Sequence, residues 1–292
     1  MATLITLRRR IKATQNVSKT TRAMQMIAAS KLKKAQDAAL AGRPYVEKLG
    51  ELAKEVSLRT DDANKHPYMK LSIDTNKTLL IAIAPDKGLC GGLITNLLRE
   101  FFTYNKTDKD NPMIVVGKKL ENQVIKLPNE VIATFHFGTT LPKFDVVYPL
   151  ITLINDYYLT GKVSSVKVLY TDFVSFFNQT PRVVQLLPIA LPLTNDEAKN
   201  QLDNQSSEML YEPKLSEMAP ELLKHYVEMT LFQYFLETYL SEQAARMLAM
   251  QNATNNAKDI IDALKLEYNK TRQAKITGEL LDIIGGRSES IQ

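Results

Sequence analysis

Cysteine is almost absent from this 292-residue chain, with Cys90 standing alone. One thiol excludes an intramolecular disulfide and fits a reducing compartment. Histidine is scarce as well, and His66, His136 and His225 are scattered, so no metal-ligand spacing can be read. No nucleophile signature surrounds Cys90, and a packed or idle thiol is the favoured reading over a Cys–His pair. No apolar run reaches the roughly 18–20 residues needed to span a bilayer. The opening stretch MATLITLRRRIKATQ has neither an apolar h-region nor a small-residue cleavage site, so no secretory signal is expected. The most informative absence is of one charge. Residues 1–36 carry nine basic side chains (Arg8, Arg9, Arg10, Lys12, Lys19, Arg22, Lys31, Lys33 and Lys34) and no acid. The whole chain is only +5, so the remainder is net negative. A basic arm suits nucleic acid, acidic lipid or an acidic protein partner, and its bland alternative is a solvated helix face.

Proline and glycine are also sparse at the two ends. Residues 3–58 contain one proline, Pro44, and two glycines, Gly42 and Gly50. Apolar or small residues step by three and four from Leu4 through Leu7, Ile11, Thr14 and onward to Val56, a heptad seam with a polar, small middle. A second line, Val17, Met24 and Ile27, runs beside it. The pattern predicts a long helix packed closely on a partner helix. From Pro220 to about Ile284 the chain again lacks proline, and Leu236, Leu240, Met247, Met250, Thr254, Ala257, Ile261, Leu264 and Tyr268 form a matching stripe. A 65-residue helix would be roughly 100 Å long, and such a helix needs a partner along its length.

Between these ends the period changes. Short apolar runs at 79–84, 113–117, 131–137, 164–170 and 183–189 alternate with helical patterns at 93–102, 118–126 and 144–160. Strands alternating with helices predict an α/β domain with a largely parallel, Rossmann-like sheet. The expected architecture is an antiparallel coiled coil of the N- and C-terminal helices (1–60 and 210–287) with the α/β domain (75–195) inserted between them. The second helix is longer, so one end should lack a helical partner, and an apolar end such as ELLDIIGG is tolerable only inside another protein.

The stretch APDKGLCGG (84–92) joins a strand to a helix, where phosphates are often cradled. Its glycines, Gly88, Gly91 and Gly92, do not match G-x-G-x-x-G, and no Lys-[Ser/Thr] follows to make a P-loop. A tight strand-to-helix turn is favoured over a nucleotide site. No paired carboxylates, catalytic triad or metal cluster is visible, so catalytic and metal-binding residues are expected to be none, and no cofactor is expected. The residues alone describe a structural or mechanical protein.

Longer segments carry a resemblance. RIKATQNVSKTTRAMQMIAASKLKKAQ (10–36), DKGLCGG (86–92), YEP (211–213), SEQAARMLAMQNATNNAKDII (241–261) and YNKTRQAKITGELLDII (268–284) resemble, in order, the γ subunits of F-type ATP synthases. The resemblance implies a central rotor shaft, non-catalytic itself, that couples proton flow through the membrane to ATP synthesis. Its implied partners are three α and three β subunits, the ε subunit and the c ring. The shaft would be peripheral to the membrane, with no nucleic acid bound. It also implies roles for individual residues. Arg272 and Gln273 would hydrogen-bond a loop of one β subunit, for which the planar guanidinium is well suited. Ile276, Leu280, Leu281, Ile283 and Ile284 would turn inside an apolar sleeve without directional bonds. Met24, Lys87 and Cys90 would face the acidic lever segment of β, and Tyr211 and Glu212 would lie at the foot near the c ring. The chain departs from the pattern at Pro85 and in its polar tail RSESIQ (287–292). The phrasing of 241–254 resembles bacterial members, which implies the cytoplasmic face of a bacterial plasma membrane, with the matrix face of the mitochondrial inner membrane as the alternative. The rival reading is a basic coiled-coil protein that binds nucleic acid, although no aromatic residue interrupts the basic arm before Tyr45 to stack a base.

Overall fold

The computed structural model describes residues 3–59, 66–70, 75–107, 111–189 and 215–289; for 57–59, 107, 215–217 and 282–289 it describes the backbone alone. Helix α1 runs Leu4–Arg59. Five strands follow, β1 Thr78–Ile83, β2 Met113–Val116, β3 Val131–Phe135, β4 Ser165–Phe173 and β5 Gln179–Leu187, with helices α2 Leu93–Thr107, α3 Lys118–Val124 and α4 Val147–Tyr158 among them. Helix α5 closes the chain at Leu215–Glu289.

The sheet order is β3-β2-β1-β4-β5. β1 pairs in parallel with both β2 and β4, and β2 with β3. β4 and β5 pair antiparallel, because the link 174–178 is too short for a crossover. β1 lies at the centre and reads TLLIAI, buried on both faces. Its side chains alternate. Leu80 and Ala82 join Leu97 and Phe101 of α2 and Leu120 and Val124 of α3 on one face. Leu79, Ile81 and Ile83 join Leu150 and Ile154 of α4 on the other, where Ala35 and Ala39 of α1 and Leu231, Phe235 and Tyr239 of α5 complete the layer. Each fully buried large side chain contributes about 1.5–3 kcal/mol by leaving water.

The chain forms two compact units, Met1–Ala29 with Arg246–Gln292, and Ser30–Ala245. α1 and α5 contribute to both. Within the second, α1 packs on α5 through small residues. A Cβ on Gly42 would lie 2.6 Å from Gln233 Oε1, and the same Gln233 amide donates to the Ala39 carbonyl at 3.1 Å. Pro44 removes the N–H that would reach Leu40, while Arg43 beside it turns to α5 and to the Phe173 carbonyl.

Within the first unit, Thr3 caps α1 by accepting from the Thr6 N–H, and the two helices run antiparallel, with Thr21 Oγ1 and Thr254 Oγ1 2.8 Å apart. The seam positions expected from the sequence are buried or half-buried here, from Leu4 to Ala28 and from Met247 to Tyr268. The second line is not. Val17, Met24 and Ile27 are all exposed, so they face away from the helix pair. α5 starts at Leu215 and carries Pro220 inside it. It continues through Gly285 and Gly286 to Glu289.

Candidate functional site

The turn after β1 is held by one carboxylate. Asp86 Oδ1 accepts the Lys118 N–H at 2.9 Å and the Phe137 N–H at 3.3 Å, and Oδ2 accepts the Gly138 N–H at 2.8 Å. These donors follow β2 and β3, at the strand ends where open α/β sheets bind their ligands. The amides that could receive an anion already hold one belonging to the chain. Gly117 makes this approach possible. Its φ is +103°, and a Cβ there would stand 2.0 Å from the Ala84 carbonyl oxygen. The turn is thus a filled joint between loops, which explains why its glycines match no phosphate-binding spacing.

Around the joint, Leu89 adopts a φ of +63° and is 62% exposed. An apolar side chain held outward in the left-handed region is uncommon. Lys87 is exposed beside it. Cys90 is different. It is 1% exposed and packs with Leu93 and Ala245. Met24 and Lys87 are therefore exposed and Cys90 is buried in the chain by itself.

In the first unit, Met24 is exposed, and Arg8, Arg9, Arg10, Lys12, Lys19 and Arg22 are exposed on the same helix. An open groove of about 450 Å³ between the helices is lined in part by Arg22, Met26, Gln251, Asn255 and Lys258. Further along α5, Arg272 and Gln273 are exposed, as are Ile276, Leu280 and Leu281. The register explains this. With Thr21 opposite Thr254 and equal rise in both helices, Leu4 falls opposite about residue 271. Beyond that point α5 has no α1 residue in its register to cover it. Ile283 and Ile284 lie in the helix but their side chains are outside the described residues, and Tyr211 and Glu212 lie outside them altogether.

A second polar node, unforeseen in the sequence, joins α1, β4 and α5 in the second unit. Arg43 Nε donates to Glu237 Oε1 at 3.0 Å, and Gln233 donates to the same oxygen at 3.2 Å. Burial pushes the Glu237 carboxyl above its ordinary value near 4.5, while the Gln233 hydrogen bond and the Arg43 charge pull the other way. The helical spacing of Gln233 and Glu237 on a buried stripe is its only sequence signal. Among the described residues no group of three or more His, Cys, Asp or Glu side chains could hold a metal ion.

A sheet whose loop cradle is filled by its own carboxylate, joined to paired helices that expose apolar and basic side chains, defines a partner-binding protein with no catalytic constellation among the described residues. Comparison with known proteins gives the particular family. A family model described as ATP synthase matches residues 3–288. The ATP synthase gamma chain of Dehalococcoides mccartyi is 40% identical over 288 residues, covering 98% of each chain. That of Paraburkholderia phymatum is 38% identical over 293 residues, covering 98% of this chain and 99% of the other. Among solved structures, a chain of the Euglena gracilis mitochondrial ATP synthase, in its OSCP/F1/c-ring assembly, superposes with a TM-score of 0.65 at 18% identity, covering 98% of this chain and 94% of that one. The chain belongs to the ATP synthase gamma chain family, whose members are non-catalytic subunits. Neither the family nor these relatives support the nucleic-acid reading.

Proposed function

We propose that this chain is the central rotor shaft of an F-type ATP synthase, turning within a ring of α and β subunits and coupling proton translocation to ATP synthesis or hydrolysis. Membership of the gamma chain family along nearly the whole chain carries the reading, and the fold shared with a chain of a solved ATP synthase assembly agrees with it. The exposed surfaces suit that role. Basic side chains on α1, with Lys87 near β1, would meet acidic segments of β by charge complementarity. Arg272 and Gln273 would make breakable hydrogen bonds to a β loop. Ile276, Leu280, Leu281, Ile283 and Ile284 would be covered by an apolar sleeve of the ring, which relieves the exposure of large apolar side chains. Tyr211 and Glu212 would lie at the foot, near ε and the c ring.

The chain would therefore be a peripheral component of a membrane complex, on the cytoplasmic face of a bacterial plasma membrane. No helix among the described residues is long and apolar enough to cross a membrane, so attachment would come through its partners. The test is reconstitution. Mixing the purified chain with α and β subunits of a bacterial relative should give a co-eluting assembly with ATPase activity, and failure to co-elute would sink the proposal.

A further inference from the structure

The filled joint after β1 reaches further than its own turn. Asp86 binds the amides of Phe137 and Gly138, and the segment 137–139 itself contacts both long helices. The Phe137 ring is 5% exposed, stacks on Phe235 of α5 with ring centres 5.8 Å apart and an interplanar angle of 6°, and lies 6.4 Å from Tyr239. One residue beyond Gly138, the Thr139 carbonyl accepts from Lys31 Nζ of α1 at 2.6 Å. A short path therefore runs from the exposed Lys87–Leu89 turn through the Asp86 carboxylate into residues 137–139, and from there to α1 by Lys31 and to α5 by Phe137. Every link lies inside the unit Ser30–Ala245.

We infer that Asp86 is a positioning residue that braces the exposed Lys87–Leu89 turn to helices α1 and α5, so that force applied to the turn by a partner is delivered to the helices. This rests on the rotor reading for the partner, but the brace is a property of the chain alone. The chemistry favours a carboxylate at this position. Three converging N–H donors leave no room for a further donor, and charge-assisted bonds of this kind are about twice as strong as neutral ones. Asparagine can keep one oxygen but turns an NH₂ group toward one of the amides. Alanine leaves all three donors without their acceptor, in a turn whose backbone is already set by Leu89 and Gly117 at positive φ.

Two measurements separate the brace from its use. In the isolated full-length chain, hydrogen exchange followed by mass spectrometry should find peptides covering 86–92 and 136–139 exchanging at least about tenfold faster in Asp86→Ala than in the parent. Millimolar formate should restore part of the protection by supplying the missing carboxylate. In the αβ assembly, Asp86→Ala should lower ATP-driven rotation severalfold, with partial recovery in formate. Lys31→Met should lower rotation too while leaving exchange at 86–92 unchanged, because it cuts only the link to α1. If Asp86→Ala is too unstable to purify, Asp86→Asn stands in for it, with the same direction of change. Unchanged exchange in a folded variant would overturn the brace. Faster exchange with undiminished rotation would leave the brace intact and overturn its part in force transfer. Failure of the parent chain to assemble would count against the rotor reading alone.

Discussion

The two units of this molecule spend their apolar residues differently. In Ser30–Ala245 the central strand is buried from end to end, and helices close over both of its faces. In the unit built from residues 1–29 and 246–292 only one seam is covered, while Val17, Met26, Ile27, Ile260, Leu266 and Leu281 stay exposed. One unit completes its own core. The other, on far fewer residues, exposes as many large apolar side chains among the described residues, and a partner would cover them. Stability should therefore be concentrated in the sheet-bearing unit, and the helix pair should depend more on its partners.

The largest effect expected from this contrast is in the core. Phe101→Ala removes a fully buried ring from between α2 and the sheet and should cost about 3–5 kcal/mol, read by denaturant unfolding of the chain. A loss below about 1 kcal/mol would mean that the sheet-bearing unit is not the stable part, and the comparison would fail.

Next comes the polar node within that same unit. The Glu237 carboxyl titrates above its ordinary value because burial disfavours its charge. The folded state then holds a proton more tightly than the unfolded one, so stability should rise as pH falls from neutral through the folded pKa and level off near the ordinary value of 4.5. Facing groups are Arg43 and Glu47 of α1, Asp172 and Arg182 of the sheet, and Gln233 of α5. Glu237→Gln should flatten this part of the pH–stability curve. An unaltered slope in that variant would assign the dependence to another group.

Much of this contrast is legible in the order of the amino acids. The three-and-four stepping of Leu4 to Val56 and of Leu236 to Tyr268 marks both long helices, and the short apolar runs mark all five strands. The same stepping does not say that Val17, Met24 and Ile27 face outward, because a helix broad enough for two neighbours and one with a single neighbour share a period. Asp86 is invisible for a different reason. Its partners are backbone amides 32, 51 and 52 residues away, and a main-chain donor leaves no mark on residue type. Cys90 is the opposite case, since the lack of any nucleophile signature around it already favours a packed thiol, and it is buried with Leu93 and Ala245.

Within the helix pair a smaller effect should separate seam from surface. Thr254→Val removes a hydroxyl that is buried against Thr21 at 2.8 Å and also donates to the Met250 carbonyl. It should destabilise the chain by about 1 kcal/mol, seen as a lower denaturant midpoint with an unchanged slope. No change in midpoint would mean that the seam in this unit contributes little even to itself.

The smallest stability effect and the sharpest functional one should coincide at Arg272. Its side chain is exposed at the point where α5 outruns the register of α1, so Arg272→Ala should alter the stability of the isolated chain by less than about 0.5 kcal/mol. If a β loop docks there, the same change removes a charge-assisted contact that forms only in the assembly, and turnover or coupling should fall severalfold while the assembly still forms. The pairing of the two measurements matters more than either one. Equal activity would release Arg272 from the proposed contact. A large loss of stability in the isolated chain would instead mean that this end of α5 is held by its own chain, and the division between a self-sufficient unit and one completed by partners would no longer stand.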